Sequence, residues 1–181
     1  MVHNHMNSKA ETKKSFGAAI LIISALILFS INIFGEFQNI RPNNFPEKDL
    51  RLPNDQPISY AEVLRSLPKL KNESDLDYAA RINKLVSNGL AHINWQELPN
   101  ESYHLLVPIW ENYILHAIGA FSGIPEFEKY HFMDPHRSLE RGIGVCGDAS
   151  MTFSQLLKRE GINNQILTYP GHVVVAVQSE G

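Results

Sequence analysis

Residues 144–161, "GVCGDASMTFSQLLKREG", and the nearby stretch "QILTYPGHVVVAVQ" (165–178) decide the fold of this chain. In the first stretch, apolar side chains recur at helical spacing after Gly147, and Gly161 ends the predicted helix. The second stretch is rich in β-branched residues and predicts two strands, or one bent strand, around Pro170–Gly171. Since consecutive elements usually lie side by side, we expect the helix to pack on these strands.

Cys146 is the only cysteine in the 181 residues, and it stands at the start of the predicted helix. A cysteine attacks as the thiolate, and both the positive end of a helix and a neighbouring imidazolium lower the pKa of a thiol. The flanking glycines allow a close backbone approach by a substrate, and the first-turn N–H groups can form an oxyanion pocket. Cys146 is therefore a candidate nucleophile, and the alternative is a small buried apolar residue.

His172 is the candidate base among the eight histidines because it begins the strand "HVVVAV" (172–177). Alternation places His172, Val174 and Ala176 on one face of the strand and the odd-numbered valines on the other. We expect the helix to pack on the His172 face, which would let the imidazole reach Cys146. Alone, His172 would be interpreted as an ordinary strand histidine, and only its pairing with the thiol favours catalysis.

The stretch "GVCGDASMTFSQLLKREGI" (144–162), followed by "GHVVVAV" (171–177), resembles the transglutaminase-like cysteine enzymes, including the bacterial transglutaminase-like cysteine proteinases. The resemblance covers residues 138–178. It implies an α+β, papain/transglutaminase-like domain with N-terminal helices and with the cysteine on a central helix packed on an antiparallel sheet. It also implies that Cys146 is the nucleophile and that His172 is the base.

In that family, an aspartate on the following strand orients the catalytic histidine, whereas the sequence ends at Gly181, before such a strand. We therefore expect the domain to be truncated at its C-terminus. If the 181 residues are fully active alone, another residue must orient His172, and Asp134 or Glu140, from the loop before Cys146, would be the first to test. Asp148, in the first helical turn, is expected to act as a cap or as a carboxylate that matches the helix dipole.

An apolar run, "SFGAAILIISALILFSINIFG" (15–35), carries no charge between Lys14 and Glu36. As a helix it spans about 30 Å, the thickness of a bilayer's hydrocarbon core. We expect residues 16–34 to form a single transmembrane anchor. Because lysines precede the run and none follows closely, we expect a cytoplasmic N-terminus and a periplasmic or otherwise extracytoplasmic domain. A cleaved signal peptide and a buried core helix are the alternatives.

Composition divides the chain into four segments: a polar N-terminal tail (1–15), the anchor (16–34), a proline-rich linker (35–57) and the transglutaminase-like domain (58–181). Three helices are predicted early in the domain, at "SYAEVLRSLPKL" (59–70), "SDLDYAARINKLVSNG" (74–89) and "SYHLLVPIWENYILHAIGAFSG" (102–123). Ser59 and Ser74 are the expected N-caps of the first two. The third is expected to be a core helix, with Pro108 near its first turns.

Composition also limits the classes of partner and ligand that the sequence predicts. Sixteen basic residues against 19 acidic ones predict no nucleic-acid partner. One cysteine excludes an internal disulfide framework and an all-cysteine zinc site. The cluster of His131, Asp134 and His136 lacks a further ligand motif, so we predict neither a metal nor a cofactor. Trp95 and Trp110 are expected to be packing residues.

Two function classes follow. The first is a membrane-anchored, thiol-dependent amide hydrolase or acyltransferase, in which Cys146 and His172 act on a protein or peptide amide through a thioester intermediate. The second is a non-catalytic transglutaminase-like binding or scaffold domain, accessory to a surface or polymer pathway. A reactive thiol would support the first, and an inert, buried thiol would support the second.

Overall fold

The structure, a computed structural model, describes residues 3–42, 56–93, 105–124, 127 and 129–178, with side chains from Phe16 onward. The protein is a mixed α and β structure, 54% helical with small sheets. In chain order, the described helices are α1 (His3–Glu36), α2 (Tyr60–Ser66), α3 (Asp75–Gly89), α4 (Tyr113–Phe121), α5 (Pro135–Arg141) and α6 (Cys146–Arg159). The strands are β1 (Ala91–His92), β2 (Ile143–Gly144), β3 (Asn164–Tyr169) and β4 (His172–Val177).

Helix α1 contains the apolar run. Its segment Phe16–Glu36 is 21 residues long, has a mean hydropathy of 2.4 and is not buried, so it meets the length and composition for one membrane crossing. This is compatible with a single-pass membrane protein or a signal anchor. The helix begins at His3, so the expected polar tail is helical from that residue onward.

The start of the expected linker is not an extended tether. Ile40 is buried, and the Arg41 guanidinium lies against Gly142, where an added Cβ would be 2.5 Å from Nη1. Burial of the Ile40 side chain removes apolar surface from water and holds this segment on the domain. The remainder of the expected linker, residues 43–55, lies outside the described residues.

The main core lies between α2, α3, α5 and α6, and both predicted N-caps are confirmed. The Ser59 hydroxyl accepts from Glu62 N at 3.2 Å, and the Ser74 hydroxyl accepts from Asp77 N at 3.1 Å. The largest buried apolar side chains of this core are Tyr78, Ile82, Leu139, Leu157 and Val63.

The buried face of α3 is narrower than its sequence predicts. Helical spacing predicts one apolar face made by Leu76, Ala79, Ala80, Ile82, Leu85 and Val86. The structure buries four of these residues, whereas Leu76 and Ala80 are exposed. The buried face is centred near Ile82, and Leu76 lies about 240° around the helix from it at 100° per residue. Tyr78 is buried instead, with its hydroxyl 3.3 Å from the carbonyl of Leu67.

The predicted core helix over 102–123 is wrong in length and in burial. Within its described residues, 105–123, only α4 is helical, and residues 105–112 are not. Proline at 108 lacks an N–H donor, and the Asn112 side chain caps the helix by accepting from Leu115 N at 2.9 Å. Gly119 is the only fully buried residue of α4, so this helix is not part of the core.

Two small sheets flank α6. Strands β1 and β2 form a parallel pair with Ala91 opposite Ile143, which the sequence did not predict because two residues carry no alternation. Strands β3 and β4 form an antiparallel hairpin, as predicted, with Tyr169 opposite His172. Gly171 has φ 75°, a conformation that glycine adopts without a Cβ penalty in a tight turn. Helix α6 packs on this hairpin.

Candidate active site

Cys146 is the first residue of α6, as predicted. The helix runs for 14 residues, and the thiol is free and partly exposed. Gly142 ends α5 with φ 73°, and the short strand β2 leads directly into the helix start. The first N–H groups of an α-helix have no intrahelical acceptor and carry its positive dipole end. The thiol therefore lies at a helix terminus that favours a negative charge.

Asp148 organises this helix start from inside the protein. Its side chain is 0% exposed, and Oδ2 accepts from Val145 N at 2.8 Å, which confirms the predicted cap. Gly144 leaves the necessary space, because a Cβ there would be 2.7 Å from the Asp148 Cβ and 2.8 Å from Oδ2. A glycine at 144 is thus a steric requirement of the buried carboxylate.

Two further side chains meet the Asp148 carboxylate. His131 Nδ1 is 2.7 Å from Oδ1, and Arg141 Nη2 is 3.7 Å from the same oxygen. The Arg141 side chain is fully buried, and its other nitrogens donate to the carbonyls of Tyr130 and Ile143. Burial lowers the pKa of Arg141 to about 10, while the Asp148 charge opposes this shift. The guanidinium therefore stays protonated at neutral pH and requires a nearby negative charge.

His131 is the residue that the sequence analysis missed as part of this site. Its half-exposed ring is hydrogen-bonded to Asp148, from which it is 17 positions distant. In a neutral ring, donation from Nδ1 to the carboxylate would make Nε2 the basic nitrogen. Asp148 lies about 200° around α6 from Cys146, so His131 approaches the helix start from a different side than the thiol.

His172 begins β4, as predicted, and is exposed. The expected packing of its face on α6 is wrong. Val175 and Val177 pack against the core. The Ser154 hydroxyl donates to Asn164 Oδ1 at 2.6 Å, and Asn164 lies opposite Val177 in the hairpin. The odd-numbered face of β4 therefore meets the helix, and alternation directs His172 to the other face.

Cys146 and His172 nevertheless lie at the same end of the helix–hairpin unit. The Ser150 hydroxyl donates to the Val173 carbonyl at 3.0 Å. Ser150 is one helical turn after Cys146, and Val173 directly follows His172. Within the described residues, no hydrogen bond joins the thiol to the imidazole. The structure thus brings the two residues to one end without pairing them.

The other residues named from the sequence have structural roles. Asp134 is the N-cap of α5 and contacts Arg159 at 3.2 Å, and Glu140 contacts Arg137 at 3.0 Å. Neither is bonded to His172. No group of three potential metal ligands occurs among the described residues. Trp110 packs on α1, and Trp95 lies outside the described residues.

Comparison of the chain with protein families, curated proteins and solved structures finds no match. The transglutaminase-like resemblance of residues 138–178 therefore stays a prediction from the residues themselves. What the described structure defines is a mixed α and β protein with one apolar N-terminal helix and with a lone, partly exposed thiol at the start of α6.

Proposed function

We propose that the chain is a membrane-anchored, thiol-dependent amide hydrolase or acyltransferase of the transglutaminase-like type, with Cys146 as nucleophile. The observation that carries the proposal is the partly exposed thiol on the first residue of the 14-residue helix α6. A helix start stabilises a thiolate and provides N–H donors to an oxyanion. A cysteine kept only for packing does not need this position.

The reaction would proceed in two steps on a protein or peptide amide. In the first, the Cys146 thiolate attacks the amide carbonyl carbon and a C–S bond forms. The C–N bond then breaks as the leaving amine takes a proton from the imidazolium, the protonated form of the base. In the second, water or a primary amine attacks the thioester, gives its proton to the imidazole and releases the thiolate. Water yields hydrolysis, and an amine yields acyl transfer.

Two histidines are candidates for the base. His172 is favoured by the resemblance and by its position at the same end of the helix–hairpin unit as Cys146. To act, its ring must reach around the start of β4, because the helix packs on the other face of the strand. His131 is favoured by its bond to the buried carboxylate of Asp148, an arrangement that orients catalytic histidines in other enzymes. We take His172 as the base and His131 as the rival.

The test compares the alkylation rate of Cys146 by iodoacetamide at pH 7 in the native 181-residue chain and in the same chain unfolded in urea. A nucleophilic site reacts faster folded than unfolded, whereas an inert thiol reacts more slowly folded. His172→Ala should lower the native rate, and His136→Ala, an α5 histidine that belongs to neither pair, should not. A fall with His131→Ala alone would assign the base to His131. A native rate below the unfolded rate in the wild type would refute the catalytic proposal.

A second assay separates the two reactions. The 181-residue chain is incubated with an unfolded protein as amide source and a fluorescent primary amine, with Cys146→Ser as control. Fluorescence incorporated into the protein indicates acyl transfer, and new amino termini or released ammonia indicate hydrolysis. Neither product above the Cys146→Ser level would favour the alternative.

That alternative is a non-catalytic transglutaminase-like binding or scaffold domain. The packing of α6 on the strand face opposite His172 favours it, because a binding domain needs no thiol–imidazole contact. It predicts slow alkylation of native Cys146 and no change in His172→Ala.

A further inference from the structure

The C-terminal part of α1 is held on the domain by specific contacts. The Tyr113 hydroxyl donates to the Leu28 carbonyl at 3.0 Å and is 2.7 Å from Asn32 Oδ1. The Trp110 ring leaves no space for a Cβ at Gly35 and packs edge-on against Phe34, with the ring centroids 6.4 Å apart. Helix α4 therefore begins beside the apolar helix.

These contacts determine where α4 begins along the axis of α1. Glu36 is the first charged residue after the apolar run, and Leu28 precedes it by eight positions. At 1.5 Å per residue, Leu28 lies about 12 Å further into the apolar segment than Glu36. Tyr113, the first residue of α4, is bonded at that level, and so α4 starts alongside the apolar segment rather than beyond its end.

The surface of α4 at this level is apolar. The helix sequence "YILHAIGAF" has no Asp, Glu, Lys or Arg, and Ile114 and Phe121 are 73% and 87% exposed. The imidazole of His116 is tied by Nδ1 to the Val107 carbonyl at 2.7 Å. An exposed apolar surface of this kind marks an interaction site.

We propose that this surface, made by Ile114 and Phe121 and called here the α4 surface, is immersed in the lipid bilayer next to α1. The proposal rests on the membrane-anchored part of the proposed function and adds a second membrane contact to it. At nine residues, α4 is about 13 Å long, too short to cross a bilayer, so it lies at one leaflet.

Lipid is the occupant that fits these contacts, rather than a second copy of the chain. The α4 surface is continuous with an apolar helix that is itself compatible with a membrane span. Trp110 packs against Gly35 and Phe34, near the charged end of the apolar run, and an indole ring, apolar with one polar atom, is enriched at membrane–water interfaces.

The test uses the 181-residue chain in vesicles of phosphatidylcholine and phosphatidylglycerol, with Cys146→Ser as the cysteine-free background. Single cysteines at Ile114 and Phe121 carry a nitrobenzoxadiazole fluorophore. Ile23→Cys, in the apolar run, is the lipid reference, and Leu70→Cys, an exposed apolar residue between α2 and α3, is the water reference. Circular dichroism checks that each labelled chain is folded.

We expect the labels at 114 and 121 to emit at shorter wavelength than the label at 70 and to be quenched by nitroxide lipids. Quenching by aqueous iodide with no lipid quenching, as at 70, would overturn the proposal. Protection from both quenchers would also overturn it and would indicate contact with a second copy. Absence of lipid quenching at 23 as well would refute the membrane anchor itself. The alkylation test of Cys146 is independent of both outcomes.

Discussion

Replacement of Asp148 by asparagine should strongly destabilise the protein although the two side chains have the same size. The Asp148 carboxylate is buried and faces the Val145 N–H at 2.8 Å, His131 Nδ1 at 2.7 Å and Arg141 at 3.7 Å. An amide offers one acceptor oxygen, so its NH₂ group would point at one of these donors. The neutral amide would also remove the charge that balances the buried guanidinium.

The magnitude follows from the burial of both charges. Removing one partner of a buried ion pair costs about 3–5 kcal/mol, because the other charge is left without its counterion. Loss of an N-terminal cap costs about 1 kcal/mol, but it concerns the same side chain and is not added. Since the Asp148–Arg141 distance of 3.7 Å is longer than a hydrogen bond, we take the lower end. The free energy of unfolding should fall by about 3 kcal/mol.

The assay is urea unfolding of the 181-residue chain in detergent micelles, followed by circular dichroism. Asp134→Asn is the matched control, because Asp134 is also a cap with an arginine partner but is 50% exposed. Asparagine caps as well as aspartate, and an exposed ion pair contributes at most about 1 kcal/mol. If the free energy of unfolding of Asp148→Asn lies within about 1 kcal/mol of that of Asp134→Asn, the buried charge pair does not stabilise the fold.

Two further predictions concern acid stability and packing. Glu73 accepts two hydrogen bonds from Arg81, at 2.7 and 2.8 Å, which lower its pKa from 4.5 to about 2. The unfolded chain binds this proton more tightly, so the stabilisation is complete above pH 4.5 and is lost as the pH falls toward 2. In Glu73→Gln, the urea midpoint should therefore depend less on pH over that range than in the wild type. An unchanged pH dependence of the midpoint would contradict this. Gly144→Ala should destabilise the protein by about 1–3 kcal/mol, because the new Cβ meets the Asp148 side chain. Gly147→Ala, whose Cβ has its nearest neighbour at 4.0 Å, should leave thermal unfolding nearly unchanged, and equal effects of the two alanines would show that the contact with Asp148 is unimportant.

The sequence was sufficient for features that depend on neighbouring residues. The serine caps at 59 and 74 bond to N–H groups three positions away, and the start of α6 at Cys146 follows from the glycines and the helical spacing beside it. The hairpin turn needs only Pro170–Gly171 between two β-branched stretches. The apolar run of α1 is likewise visible in composition alone.

The composition of the site depended on residues that are distant in sequence. His131 reaches Asp148 from a loop that has no regular pattern, and the buried Arg141 lies on another helix, α5. Polar side chains such as these are ordinarily exposed, so nothing local indicates that a carboxylate will be buried. The exposure of α4 was equally hidden, because an apolar helix has the same composition whether it faces a core or a bilayer.

The face of β4 that meets α6 was decided only by the tertiary structure. Alternation assigned the strand residues correctly to two faces, but "HVVVAV" has apolar side chains on both, so either face can pack on a helix. The valines at 175 and 177 pack against the core, and Asn164, opposite Val177 in the hairpin, is bonded to Ser154 of α6 on the same side. Local sequence therefore determined where Cys146 and His172 stand in their elements, and long-range packing determined that His172 faces away from the helix.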